Sequence, residues 1–137
     1  MPLVLSEREG AVARLTLNDP KSYNSLGLDL LGEFNAALDQ AIADPAVRVI
    51  LLTGAGKGFC SGAQFGAGIF DQGDAVGAMM RERISPLIET LHASPKPVVT
   101  AVNGAAAGAG VGVALAGDIV FAARSARFIL SFVKLGA

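Results

Sequence analysis

The stretch Ala101-Val-Asn-Gly-Ala-Ala-Ala-Gly-Ala-Gly-Val-Gly-Val-Ala-Leu-Ala-Gly-Asp118 constrains this chain more than any other. It passes from β-branched residues through a turn of glycine and alanine into an Ala-rich run. Between Ala107 and Gly112 no side chain is larger than valine, so another backbone or a ligand can approach the main chain closely. A helix that starts there presents unpaired N–H groups and the positive end of its dipole to whatever lies above the turn. That suits an oxyanion. A second glycine turn, Gly54-Ala-Gly-Lys-Gly-Phe-Cys-Ser-Gly-Ala63, follows another β-branched segment and offers a second donor.

The 137 residues fit one domain, 1–137. An apolar content of 52% exceeds what a small soluble domain needs. Either a partner covers part of the apolar surface, or the chain is a portion of a larger domain. With 11 basic and 12 acidic residues mixed along it, the chain has neither a basic field for nucleic acid nor an acidic tail. One cysteine and one histidine exclude an internal disulfide and a Cys/His metal cluster, so no metal is expected and a reducing, cytoplasmic location fits. The first residues place no basic segment before an apolar run, so no secretory leader is expected. Residues 97–117 are uncharged, about long enough to span a bilayer, and contain two Gly-xxx-Gly spacings. Asn103, Thr100, the breaker-rich centre and alanine in place of leucine argue against insertion, so no membrane contact is expected.

Hydrophobic periodicity predicts strands at 3–7 and 12–17 joined as a hairpin around Gly10, then a loop over 18–25. Leu28, Leu31, Leu38 and Ile42, with Phe34 and Ala41 nearby, predict an amphipathic helix over 27–43. Residues 47–53 read as a strand covered on both faces. Residues 66–77 are glycine-rich and expected to be mobile. Val76, Met80, Ile84, Leu87, Ile88 and Leu91 form a stripe that predicts a helix over 76–92, ended by Ser94-Pro95. Further strands are expected at 98–102, 119–122 and 127–130, with a short helix between the second glycine turn and Gly117. This order predicts an α/β fold with right-handed crossovers.

Neither glycine turn is a nucleotide motif. A P-loop would need glycine where Leu51 stands and Ser or Thr after Lys57, where Gly58 stands. The spacing of Gly108-Ala-Gly-Val-Gly112 is wrong for a dinucleotide fingerprint, and that of Gly54-Ala-Gly-Lys-Gly58 fails too. Instead Leu51-Leu-Thr-Gly-Ala-Gly-Lys-Gly-Phe-Cys-Ser-Gly-Ala63, Ala101-Val-Asn-Gly-Ala-Ala-Ala-Gly-Ala-Gly110 and Gly117-Asp-Ile-Val120, in that order, resemble the crotonase (enoyl-CoA hydratase/isomerase) superfamily. The loop Asn18-Asp-Pro-Lys-Ser-Tyr-Asn-Ser25 is similar to that family's first loop. The resemblance covers the whole chain and about the first half of a typical subunit, so an N-terminal portion is expected, with the C-terminal part of the fold absent.

That resemblance implies a spiral of β-β-α turns that binds acyl-CoA thioesters in fatty acid or aromatic acid degradation. Coenzyme A enters as part of the substrate and no other cofactor is implied. The backbone N–H groups of Ala63 and Ala109 would hold the thioester oxygen as it gains negative charge, each lowering the barrier by roughly 3–4 kcal/mol. Lys21 and Lys57 would lie near the CoA phosphates, and Ser61, Gln64 and Phe65 along its adenine and pantetheine end. Gln64 departs from the aspartate usual there. Hydratases of the family carry two glutamates, and Gly112 and Phe132 stand at those positions. Neither can move a proton, so an isomerase is expected rather than a hydratase. The segments 122–128 and 132–136 look like those of the ring-epoxide phenylacetyl-CoA isomerases and dienoyl isomerases, whose aspartate follows the Lys-Leu-Gly segment. The alternatives are a catalytically incomplete CoA-binding product and a small membrane protein. Trimers or hexamers are implied for the full-length form.

Other ionisable residues read as structural. His92 lies at a predicted helix end, Glu82 and Glu89 share a helix with Arg81 and Arg83 and read as a solvated face, Asp118 is expected to hold a turn, and Cys60 to fill space beside the first glycine turn.

Overall fold

A computed structural model of the protein describes residues 1–63 and 75–130. Strands β1 (Val4–Glu9) and β2 (Val12–Leu17) pair antiparallel around Gly10, whose φ of 60° is the left-handed turn geometry that glycine adopts freely. A short 3₁₀ turn at Pro20–Ser22 leads to helix α1 (Leu28–Ala43). Then β3 (Val49–Gly54) pairs parallel with β2.

Beyond β3 the chain repeats a unit. Each unit has a strand in a large sheet and a short strand in a second sheet, and in the first two a helix follows. The first is β3, β4 (Gly58–Cys60) and a helix, and the second is β5 (Val98–Val102), β6 (Ala105–Ala107) and a helix. The third holds β7 (Ile119–Ala122) and β8 (Arg127–Ile129). The large sheet has the order β1-β2-β3-β5-β7 and the small one β4-β6-β8. From β2 onward every pairing is parallel. This is the expected ββα spiral. The two glycine turns thus hide short strands, β4 and β6, which periodicity cannot register in three residues each.

The first crossover helix is α1. Phe34, Leu38, Leu30, Leu31 and Ala41 are buried, whereas Leu28 is 63% exposed. At 100° per residue, Leu28 sits about 120° from Phe34 around the helix and Leu30 about 40°, so Leu30 takes the place expected of Leu28. Glu33 ties α1 to β1 by accepting the N–H groups of Leu3 and Val4 at 2.8 and 3.3 Å. Lys96 Nζ caps the other end, donating to the carbonyls of Ala41 and Asp44 at 2.8 and 2.6 Å.

The second helix runs through α2 (Ala75–Met79), a π segment at Met80–Ile84 and α3 (Ser85–Ala93). Of the stretch read as mobile, 66–74 lies outside the described residues and 75–77 opens α2. The third helix is α4 (Ala109–Leu115). Thr100, fully buried on β5, donates to the Ala114 carbonyl at 2.7 Å and pins the last turn of α4 to the sheet. Residues 97–117 therefore form β5, β6 and α4. Among the described residues no helix is long and apolar enough to cross a membrane.

The core gathers Leu15, Leu17, Phe34, Leu38, Ile50, Leu52, Leu87 and Val98 between the large sheet and its helices. Coverage of β3 is one-sided: Ile50 and Leu52 are fully buried, while Val49, Leu51 and Thr53 keep partial exposure. Asp118 holds its turn as expected, accepting from Val98 N–H through Oδ2 at 2.8 Å and donating its own N–H to the Val98 carbonyl at 2.7 Å. Phe34→Ala removes a fully buried ring and is expected to destabilise the fold by about 3–5 kcal/mol, read as a lower urea midpoint at unchanged slope.

Candidate active site

The site is built on the turn between β3 and the residues after β4. Asn24, fully buried and at a left-handed φ of 58°, a conformation asparagine tolerates better than most residues, clamps this turn from outside. Its Nδ2 donates to the carbonyls of Ala55, Gly58 and Phe59, each at 3.1 Å, and its Oδ1 accepts the Asp19 N–H at 2.7 Å. Asn103 holds the turn from the other side: Oδ1 accepts the Gly54 N–H, and Nδ2 donates to the carbonyls of Gly56 and Gly58, all at 3.1 Å. Sequence reading gave neither asparagine a part in the site.

The two glycine turns touch through their main chains. A Cβ built on Gly62 would stand 2.6 Å from the Ala107 carbonyl oxygen and 3.2 Å from the Ala109 nitrogen. One on Gly110 would collide with the Cys60 carbonyl, and one on Gly104 with that of Lys57. Residues 60–62 and 107–110 therefore lie backbone to backbone. The Gly62 carbonyl accepts the Leu26 N–H at 2.7 Å. The Ala63 N–H belongs to the same trans peptide and so points the opposite way, away from Leu26. The Ala109 N–H opens α4, where first-turn donors have no partner inside the helix.

Two clefts adjoin this contact. One, of about 400 Å³, is lined by Pro20, Lys21, Tyr23, Gly56 and Lys57. It brings together the two lysines singled out from the sequence, with a half-exposed tyrosine that was not. Ser61 is tied to the residues before Asn24: its N–H donates to the Tyr23 carbonyl at 2.8 Å and its hydroxyl to the Ser22 carbonyl at 2.7 Å. Gln64, Phe65 and Phe132 lie outside the described residues.

The other cleft, of about 450 Å³, has Met80, Ile84, Ser85, Ile88 and Glu89 of the second helix on one wall. Gly108, Ala109 and Gly112 form the facing wall. The nearest atom to a Cβ built on Gly112 is Ile88 Cδ1 at 3.7 Å, so the position has room for a side chain and carries none. Glu89, read from its neighbours as part of a solvated face, is exposed but belongs to this cleft. His92 is exposed on the last turn of α3 and is not among the residues lining either cleft.

The sequence pattern of the enoyl-CoA hydratase/isomerase family matches residues 7–137. The chain belongs to this family. It is 45% identical over 139 aligned residues to the 1,2-epoxyphenylacetyl-CoA isomerase of Escherichia coli K12, covering 99% of this chain and 53% of that protein. A probable enoyl-CoA hydratase of Rhodobacter capsulatus is 42% identical over 125 residues, covering 91% of this chain and 48% of its own. Among solved structures, an enoyl-CoA hydratase/isomerase from Xanthobacter autotrophicus Py2 superposes with a TM-score of 0.88 at 35% identity, over 98% of this chain and 51% of that one. The chain spans about half the length of these relatives. Its fold is the crotonase fold of the family.

Burial decides the chemistry of Cys60. Removal from water pushes its thiol from the ordinary 9.0 up to about 11, partly offset by a hydrogen bond from the Gly62 backbone. The thiol is neutral near pH 7 and is no nucleophile there. Because the folded pKa is raised, this contribution to stability is complete below pH 9 and is lost as pH rises from 9 towards 11. Cys60→Ser, lacking a titrating thiol, is expected to show a flatter decline in melting temperature over that interval. Asn24→Ala strips three carbonyls of their common donor and is expected to cost about 1–3 kcal/mol in urea unfolding.

Proposed function

We propose that this chain supplies the thioester-binding and oxyanion-stabilising part of an acyl-CoA isomerase. In this reading the thioester carbonyl oxygen lies between the N–H groups of Ala63 and Ala109. A base takes a proton from the carbon next to the carbonyl, and the C–H electron pair moves to the oxygen, giving an enolate. The two amides hold that negative charge without reorganising. Return of the proton to a different carbon completes the isomerisation, with no net change in atoms. The single observation that carries the reading is the main-chain contact of Gly62 with Ala107 and Ala109, which puts both donors in one neighbourhood.

Isomerisation is favoured over hydration because activating water and protonating carbon requires acid and base side chains. Gly112, on the cleft wall beside Ala109, offers none. The proton carrier is assigned to the aspartate that the family resemblance places after the Lys-Leu-Gly136 segment. Lys21 and Lys57 take the CoA phosphates in the cleft they share with Tyr23, while Ser61, Gln64 and Phe65 shape the loop along the adenine and pantetheine. Absence of a proton-moving side chain at Gly112 also supports a second reading, in which the 137-residue chain binds the thioester without turning it over.

Ala109 is the first residue of α4, a position where proline suits the helix, and its ring replaces the N–H with a methylene. Ala109→Pro tests the donor directly. Infrared spectra of a bound acyl-CoA carrying a labelled thioester carbonyl are expected to show a lowered stretching frequency in the wild type and a return towards the solution value in the variant. Where isomerase turnover is measured, kcat/KM is expected to fall by roughly 10²–10³-fold. An unshifted carbonyl in the wild type would remove the oxyanion reading, and turnover measured alongside binding separates the isomerase from binding without turnover.

A further inference from the structure

We propose that Glu89 selects the acyl group in the cleft beside Ala109, admitting thioesters whose acyl end is uncharged and rejecting those that end in a carboxylate. The inference rests on the thioester reading above and adds a substrate class to it. Among the described residues lining the cleft, Glu89 is the one ionisable side chain and Ser85, one turn earlier, the one hydroxyl. Everything else on the two walls is apolar or glycine. No lysine or arginine among the described lining residues would neutralise an incoming anion.

The carboxylate is held at the cleft by the packing of its helix. Leu87 and Leu91 are buried at 0% and 2% exposure, and this fixes the rotation of α3. Ser85, Ile88 and Glu89, spaced i, i+3 and i+4, then share the face turned to the cleft. Glu82, on the same helix, is exposed and is not among the residues lining the cleft, so the two glutamates differ by position and not by charge. With the cleft open, Glu89 stays hydrated. An acyl chain that displaces that water lowers the local dielectric and strengthens the field of the carboxylate on whatever the chain carries. A second negative charge at that range is disfavoured roughly tenfold or more, a repulsive element that discriminates between otherwise equal chains.

The test uses two acyl-CoA thioesters of equal chain length, one ending in a methyl group and one in a carboxylate, titrated by calorimetry into the 137-residue wild type, Glu89→Gln and Glu89→Lys. The exposed position keeps the fold, checked by equal melting temperatures. In each protein the affinity for the methyl-ended thioester is the reference against which the carboxylate-ended one is read. The gap between the two ligands is expected to shrink roughly tenfold in Glu89→Gln and to close or invert in Glu89→Lys. An unchanged gap in Glu89→Lys would overturn the proposal and leave the thioester reading standing. Failure of the wild type to bind either ligand would instead overturn the thioester reading, and the selectivity with it.

Discussion

Close approach of two backbones is the constraint on which this structure depends. The carbonyls of Lys57 and Cys60 press into the spaces left by Gly104 and Gly110, and Gly62 presses against Ala107 and Ala109. A methyl group at any of these glycines would force residues 57–62 and 104–110 apart, because the nearest atoms it meets are main chain and cannot rotate away. The small sheet exists only because these positions lack side chains. The same absence leaves amide groups at the turn ends reachable by a ligand.

One turn serves both clefts as a result. Gly56 and Lys57 line the cleft with Lys21 and Tyr23, while a few residues later Gly62 meets Ala109 on the wall of the other. The asparagines make this turn rigid. Asn24 and Asn103 both donate to the Gly58 carbonyl, from loops that belong to different parts of the chain. Polar groups held this way are satisfied at fixed geometry. Glycine supplies the space and asparagine the stiffness.

Among the described residues, much of the exposed apolar surface gathers in one place. Ile119, Phe121, Phe128 and Leu130 are 54%, 63%, 45% and 70% exposed, on or beside β7 and β8. Those are the last strands in the orders of the two sheets. The core residues Leu15, Leu17, Ile50, Leu52 and Val98 have zero exposure, while Leu28 of α1 and Leu115 of α4 add isolated exposed leucines at 63% and 58%.

Residues 12–17, 28–43 and 98–102 announced their structure because each is long enough for its hydrophobic period to repeat, and Phe34 and Leu38 on α1 are as buried as that period requires. The glycine turns were legible as places of close approach, and the family blocks around them as a spiral. What the sequence could not display was pairing. Three-residue strands such as β4 and β6 have no period of their own and exist through contacts with partners tens of residues away. The same holds for Tyr23, which joins Lys21 and Lys57 only across the folded turn. It holds equally for Glu89, whose charge looked like that of Glu82 until the burial of Leu87 and Leu91 set which way the helix faces. Local chemistry and periodicity are written in neighbouring residues, whereas the orientation of a side chain towards a cleft is decided by what packs on the far side of its helix.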